Sequence, residues 1–292
     1  MRILLTGRNG QVGWELERKL APLGEVIATD RATLDLADPD AIRRVVREAK
    51  PQVIVNAAAY TAVDLAESEP ELAMLINGIA PGILADEAKR LGALLVHYST
   101  DYVFDGEKAT PYVEDDPPNP LNVYGRTKLA GERAIQAAGG RHLILRTSWV
   151  YGARGKNFLL TILRLAGERR ELRVVNDQRG APTSCRAIAD ATAKVLRGMD
   201  GVAGCNGIFH LSAAGEATWS DFAAAIIARA GLATRIVPIV SAEYPTVARR
   251  PRNSLLDNSK VRAKFAVSLP DWRAEFDLVA VELGVRGRAQ YP

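Results

Sequence analysis

The stretch Ile3-Leu4-Leu5-Thr6-Gly7-Arg8-Asn9-Gly10-Gln11-Val12-Gly13 decides the fold. An apolar run of strand character enters a turn with three glycines, and Gln11-Val12 opens a helical pattern. Glycines let the backbone turn tightly and bring its N–H groups close to a pyrophosphate. The helix N-terminus behind them favours negative charge. Gly13 lets that helix pack closely on the strand. Such spacing also serves purely structural turns, but its place between a strand and a helix strengthens the dinucleotide reading. Asp30 follows Gly10 by twenty positions, at the end of the next strand-like run. A carboxylate there can accept hydrogen bonds from a ribose hydroxyl. Asp30 favours NADH because it repels a 2′-phosphate, whereas Arg8 and Arg31 offset that repulsion. The expectation is that both NADH and NADPH serve.

Downstream of this turn the first half alternates between two patterns. Short β-branched or Leu-rich runs at residues 2–6, 25–29, 52–57, 94–99 and 143–147 read as buried strands. Helical spacing fills 11–21, 39–50, 70–91 and 122–138. This alternation predicts an α/β fold, a doubly wound parallel sheet of Rossmann type covered on both faces. Asp38-Pro39 supplies a cap and a first-turn proline, and Pro51 stops that helix. Ser68 and Glu71 fit a capping box. The second half is less regular, with helices predicted at 157–169, 186–197, 219–230 and 269–283. Strands are predicted there at 172–175, 208–211 and 235–239. Residues 1–150 are read as the dinucleotide-binding domain. Residues 151–292 are read mainly as a smaller C-terminal α/β substrate lobe, with segments returning to the sheet.

Composition narrows the function classes. With 48% hydrophobic and 25% charged residues, the 292-residue chain can bury a real core. The net charge of +4 is mild and interspersed, unlike the basic stripe of a nucleic-acid binder. Two cysteines, Cys185 and Cys205, do not make a disulfide framework and read as free thiols. The opening apolar run is too short for a signal peptide. No run approaches the ~20 residues needed to span a bilayer. A cytoplasmic enzyme without a membrane or nucleic-acid partner is the expectation. His97, His142 and His210 are scattered and none pairs with a cysteine at ligand spacing, so a catalytic metal is not supported.

Tyr124 and Lys128 stand in Tyr-Gly-Arg-Thr-Lys, where i and i+4 share one helix face. A phenol ionises near ~10 in water. A neighbouring ammonium is expected to lower that value and make an acid–base pair. Such a pair is a common accident by itself. Here it falls where the helix after the fourth strand should start, downstream of Ser99-Thr100-Asp101 at that strand's C-terminal end. Ligands bind outside those ends, and Thr100 can donate a hydrogen bond to a carbonyl oxygen.

Longer blocks carry a resemblance. They are residues 10–16, 55–64, 98–105, 120–132, 146–151 and 248–254. Together they resemble the extended short-chain dehydrogenase/reductase family over nearly the whole chain, and within it the branch that reduces dTDP-4-dehydro-L-rhamnose to dTDP-L-rhamnose. The resemblance implies a dTDP-linked keto sugar as substrate. Tyr124 is then the proton donor, Lys128 holds the nicotinamide ribose, and Thr100 polarises the ketone. It places Ala59 and Thr61 beside the cofactor and Asp35-Leu36 near the adenine. Val63, Asp101 and Trp149 are placed along the sugar pocket. Arg249, Arg250 and Arg252 read equally as a diphosphate grip or as a solvated basic loop, with Arg250 taken as the substrate residue. Some members of the branch are homodimers held partly by Mg²⁺. No acidic ligand cluster here demands one; Glu15 could contribute, but it reads first as an exposed helical glutamate. Two other readings stay open: a non-catalytic regulatory subunit on this fold, and a sugar-nucleotide epimerase or dehydratase. Asp101-Tyr102 after Thr100, in place of Asp-Glu, argues against a dehydratase.

Overall fold

The computed structural model describes residues 1–198 and 206–285. Cys205 lies outside the described residues. The chain runs β1 (Arg2–Thr6), α1 (Gln11–Leu20), β2 (Glu25–Thr29), α2 (Pro39–Ala49), β3 (Val53–Asn56), α3 (Val63–Ala66) and α4 (Pro70–Met74). A π-turn (Leu75–Ile79) leads into α5 (Ala80–Leu91), β4 (Leu94–Thr100), α6 (Val123–Ala138) and β5 (Arg141–Thr147). Beyond it come β6 (Val150–Tyr151), α7 (Phe158–Glu168), β7 (Glu171–Val175), β8 (Arg179–Gly180), β9 (Thr183–Ser184) and α8 (Cys185–Arg197). The chain continues with β10 (Gly207–His210), β11 (Ala217–Thr218), α9 (Trp219–Ala230), β12 (Arg235–Ile239), α10 (Ser259–Phe265) and α11 (Trp272–Glu282).

Six strands make one sheet in the order β10-β5-β4-β3-β1-β2, every pair parallel. Alternation along the strands explains its two covered faces. Ile3, Leu5, Val53, Val55, Val96, Leu143 and Leu145 pack with Leu16 and Leu20 of α1 and with the Ala-rich face of α8. Leu4, Ile54, Leu95 and Ile144 point the other way, onto Ile42 and Val46 of α2 and Leu84 of α5. The strand order reverses at β1, with β2 on one side and β3 on the other, so a crevice opens at their C-terminal ends. A second core lies among α7, α9, α11 and the parallel pair β7–β12, around Phe222, Trp272 and Phe276. β10 joins the main sheet beside β5, and α8 packs on α1.

Local chemistry accounts for the boundaries. Asp38 accepts from the N–H groups of Asp40 and Ala41, and Lys50 ends α2 in a left-handed conformation. The expected Ser68–Glu71 capping box does not form. Glu69 is the N-cap residue because Pro70 takes the first helical position, and the Ser68 hydroxyl donates to the Leu65 carbonyl. Residues 70–91, expected as one regular helix, carry the π-turn midway. The last helix begins at Trp272 rather than residue 269, after Pro270, with Asp271 accepting from the Arg273 N–H.

Candidate functional site

The glycine turn takes the shape its sequence predicts. Gly7 has φ +75°, and a Cβ on it would stand 2.8 Å from the Ala58 nitrogen. A Cβ on Gly13 would lie 2.0 Å from the Gly7 carbonyl oxygen. The β1 turn and the segment after β3 therefore meet at backbone distance. Thr6 Oγ1 ties them, donating to Asn56 Oδ1 at 2.7 Å and accepting from the Ala58 N–H. Beyond this junction runs a cleft of about 730 Å³, within the size range of cofactor sites.

The cleft gathers most residues singled out from the sequence: Gly7, Gly10, Gln11 and Val12; Asp30, Asp35 and Leu36; Ala59, Thr61 and Val63; and Thr100, Asp101, Tyr124, Lys128 and Trp149. Gly13 stands behind the turn and serves packing. Arg250 is not among the lining residues. Its guanidinium forms a two-pronged pair with Asp64, at 3.1 and 2.7 Å. The Asp64 carboxylate also accepts from the Ala248 N–H. Asp64 thereby holds Arg250 in place and ties the 244–253 loop to α3. The cations that line the cleft are Arg31, Lys128 and Lys156. Lys156 sits in an irregular loop before α7, where no sequence pattern marks it.

Asp30 accepts from the Thr33 hydroxyl and from the Ala32 and Thr33 N–H groups, and on its other oxygen from Asn9 Nδ2. The Thr33 hydrogen bonds, chiefly, hold its carboxyl below the usual range. It stays anionic and stationary at the cleft edge. A π-turn often marks a functional position. Here it presents Asn77, which accepts from the Tyr60 N–H and donates to the Tyr60 carbonyl and to Thr127 Oγ1. Asn77 thereby fixes the Ala59–Thr61 wall to α6.

Asn122 caps α6 through the Gly125 N–H, which sets Tyr124 in the first turn and Lys128 one turn on. Lys128 is buried. Its Nζ donates to the Tyr98 carbonyl at 2.6 Å and lies 3.1 Å from His97 Nε2. His97 Nδ1 faces Asn56 Nδ2 at 3.0 Å. A polar chain thus runs from Thr6 through Asn56 and His97 to Lys128, beneath the sheet ends. Burial lowers Lys128 to about 8 against the pull of Glu132. It also holds His97 well below its ordinary value, with Lys128 adding to the effect. Glu132 is spent on buried Arg146, which it meets at 2.7 Å.

The expectation that the ammonium makes Tyr124 more acidic is corrected for this state of the protein. Burial pushes the phenol up to about 12, with Thr100 lowering and Asp101 raising it. Lys128 points instead at Tyr98 and His97. The phenol is therefore protonated at neutral pH, as a proton donor must be. Thr100 Oγ1 accepts from the Tyr102 N–H and lies 3.1 Å from Asp101 Oδ1. Burial raises Asp101 to about 7, and among the described residues its Oδ2 has no hydrogen-bond partner.

Trp149 adopts φ +47°, a strained conformation for a non-glycine residue and one that gathers at functional sites. Its ring stacks on Trp219, with centroids 3.5 Å apart and planes 7° from parallel. Trp219 also lines the cleft, and its Nε1 donates to Gln178 Oε1 at 3.2 Å. Sequence reasoning missed Trp219 because it reads as the first residue of an amphipathic helix, seventy positions from its partner.

No helix of the described residues is long and apolar enough to cross a membrane. Among them no group of three or more His, Cys, Asp or Glu side chains could hold a metal. Burial and the nearby Glu282 raise Glu15 above its ordinary value, against Lys19, Arg18 and Arg186.

A doubly wound sheet, a glycine turn and a Thr–Tyr–Lys set around one cleft define the extended short-chain dehydrogenase/reductase class. Residues 1–284 match the family described as the RmlD substrate binding domain, and the chain belongs to that family. A relative from Burkholderia thailandensis, dTDP-4-dehydrorhamnose reductase, is 52% identical, the match covering 97% of this chain and 99% of the relative. The crystal structure of a dTDP-4-dehydrorhamnose reductase from Clostridium acetobutylicum superposes with a TM-score of 0.93 at 38% identity. That match covers 97% of this chain and all of the other. One from Bacillus anthracis, in complex with NADP, has a TM-score of 0.91 at 35% identity, covering 96% and 99% of the two chains.

Proposed function

We infer that this protein catalyses NAD(P)H-dependent reduction of dTDP-4-dehydro-L-rhamnose at its C4 ketone, giving dTDP-L-rhamnose. The observation that carries this reading is the convergence of Thr100, Tyr124 and Lys128 on the cleft that the glycine turn opens. The residues fit a nicotinamide dinucleotide. The turn offers its backbone to the pyrophosphate, Asp30 reads the adenosine ribose, and Asp35-Leu36 border the adenine. Lys128 faces the nicotinamide ribose. Bound NADH or NADPH supplies the hydride.

The chain's own groups manage the proton and the charge. As C4 gains hydride, negative charge grows on the ketone oxygen. Tyr124, protonated at working pH, transfers its phenolic proton there, so that a C4–H and an O4–H bond replace the C=O π bond. Thr100 donates a hydrogen bond to the same oxygen. The Lys128 ammonium, held by the Tyr98 carbonyl and His97, keeps to the nicotinamide ribose, and the phenolate left behind regains its proton from solvent. Asp101 borders the sugar site, Trp149 and Val63 form its apolar wall, and Lys156 also lines the cleft. Residues 1–150 form the dinucleotide-binding part and residues 151–292 mainly the substrate lobe, with α8 and β10 returning to the first. A cytoplasmic place and a homodimer complete the reading.

The intact Tyr124, Lys128 and Thr100 set favours an enzyme over a regulatory subunit. The test is nicotinamide absorbance on adding the keto sugar to protein with NADH or NADPH. Stoichiometric loss with formation of the dTDP-deoxyhexose supports the reading. No loss with either cofactor removes it. Retention of NAD through purification without net oxidation would favour an epimerase.

A further inference from the structure

Arg8 is the cation inside the glycine turn, and its backbone N–H donates to the Thr29 carbonyl at 3.0 Å. Its neighbour Asn9 donates to Asp30 Oδ2. Arg8 therefore starts beside the carboxylate that would meet the adenosine ribose. A 2′-phosphate there needs a cation, and an arginine close by is the usual provider. The guanidinium does not point that way. It pairs with Glu17 Oε1 at 2.8 Å, in a neighbouring recess formed with Asn9, Trp14 and Arg18. That recess is otherwise basic, with the guanidiniums of Arg18 and Arg154 lying 3.1 and 4.0 Å from the Trp14 ring centroid. Glu17 is the anion in it, and Arg8 is drawn there.

We propose that Glu17 sets the balance between NADH and NADPH by holding Arg8 away from the ribose site. The proposal rests on the nicotinamide cofactor inferred above. With Arg8 on Glu17 and Arg31 turned to Asp35 at 3.7 Å, Asp30 faces the ribose, and the site suits a free 2′-hydroxyl. With Arg8 released by side-chain rotation, its guanidinium screens Asp30 and pairs with a 2′-phosphate. Both partners are partly exposed, 43% for Arg8 and 34% for Glu17. Such pairs are weak, so neither state is locked and both cofactors are accepted. Glu17 lies on the outer side of α1 and acts only through Arg8, which makes it a positioning residue.

The experiment is direct titration of the purified protein with NADPH and with NADH, followed by calorimetry. Wild type is compared with Glu17→Gln, Arg8→Gln and the double variant. Glu17→Gln is expected to tighten NADPH about two- to fivefold, the size of an exposed pair, and to leave NADH unchanged. Arg8→Gln should weaken NADPH about tenfold or more, the loss of a charge-assisted contact. The double variant should match Arg8→Gln. Unchanged NADPH affinity in Glu17→Gln, or the same tightening in the double variant, overturns the proposal while leaving the reductase reading intact. Failure of wild type to bind either dinucleotide overturns both.

Discussion

Gly180→Ala is the sharpest probe of the aromatic wall. Gly180 lies in β8, opposite Ala217 of β11, and its φ is outside the left-handed region, so the backbone tolerates alanine. A Cβ there would stand 2.4 Å from Trp149 Cε2 and 2.8 Å from Cδ2 and Cζ2. Ordinary contact begins at 3.4 Å, so the ring must retreat by about 1 Å. It has nowhere to go. Trp219 covers it at 3.5 Å, face to face, and is itself pinned by Gln178 and packed against Phe158. Aromatic pairs prefer an offset arrangement, so the surroundings, not the rings, enforce this stack. Overpacking of this kind costs about 1–3 kcal/mol. The variant should unfold at lower denaturant, lose the coupled-indole signal in near-ultraviolet circular dichroism, and show a raised KM for the keto sugar with unchanged NADH binding. Adding Trp219→Leu, which opens space behind Trp149, should return part of the stability as a coupling energy. A folded Gly180→Ala protein with wild-type KM and an unaltered indole signal would refute the role given to Trp149.

Three further outcomes follow from the site. Tyr124→Phe should lower kcat by at least about 10²-fold, with cofactor and sugar binding largely kept. Turnover near the wild-type rate would remove Tyr124 as proton donor. Burial lowers the folded-state pKa of both His97 and His210, the latter to about 3. Unfolded histidines take up protons below about 6.5, so the unfolded state gains stability as pH falls. Each should cost the fold up to about 1.4 kcal/mol per pH unit, a slope approached about a unit below that value. His97→Leu should remove one such contribution from the pH slope in urea titrations, and an unchanged slope would contradict its buried, neutral state. Hydrogen bonding from Arg250, the largest cause, holds the Asp64 carboxyl below its ordinary 3.8. Its contribution is full at neutral pH and fades as pH drops through that value and below. The partners are partly exposed, so Asp64→Asn should cost less than about 1 kcal/mol while loosening the 244–253 loop to limited proteolysis. Equal cleavage rates would argue against the tie.

The sequence by itself determined the sheet, the turn and the chemical set. Short continuous apolar runs, three glycines at the strand–helix junction and Tyr124 with Lys128 one helical turn apart are local patterns. Each is a property of neighbours along the chain, so spacing is enough to read them. Tertiary structure alone decided what those groups touch. The pairing of Arg250 with Asp64, 186 residues away, is visible only in the folded chain. Trp219 had no visible link to Trp149 before α9 was folded so that the two rings stack. Lys128 was expected to acidify Tyr124, yet His97 and the Tyr98 carbonyl draw its ammonium aside, and burial carries the phenol the other way. Ionisation and pairing depend on desolvation and on contacts between distant segments, and neither is written in the order of residues.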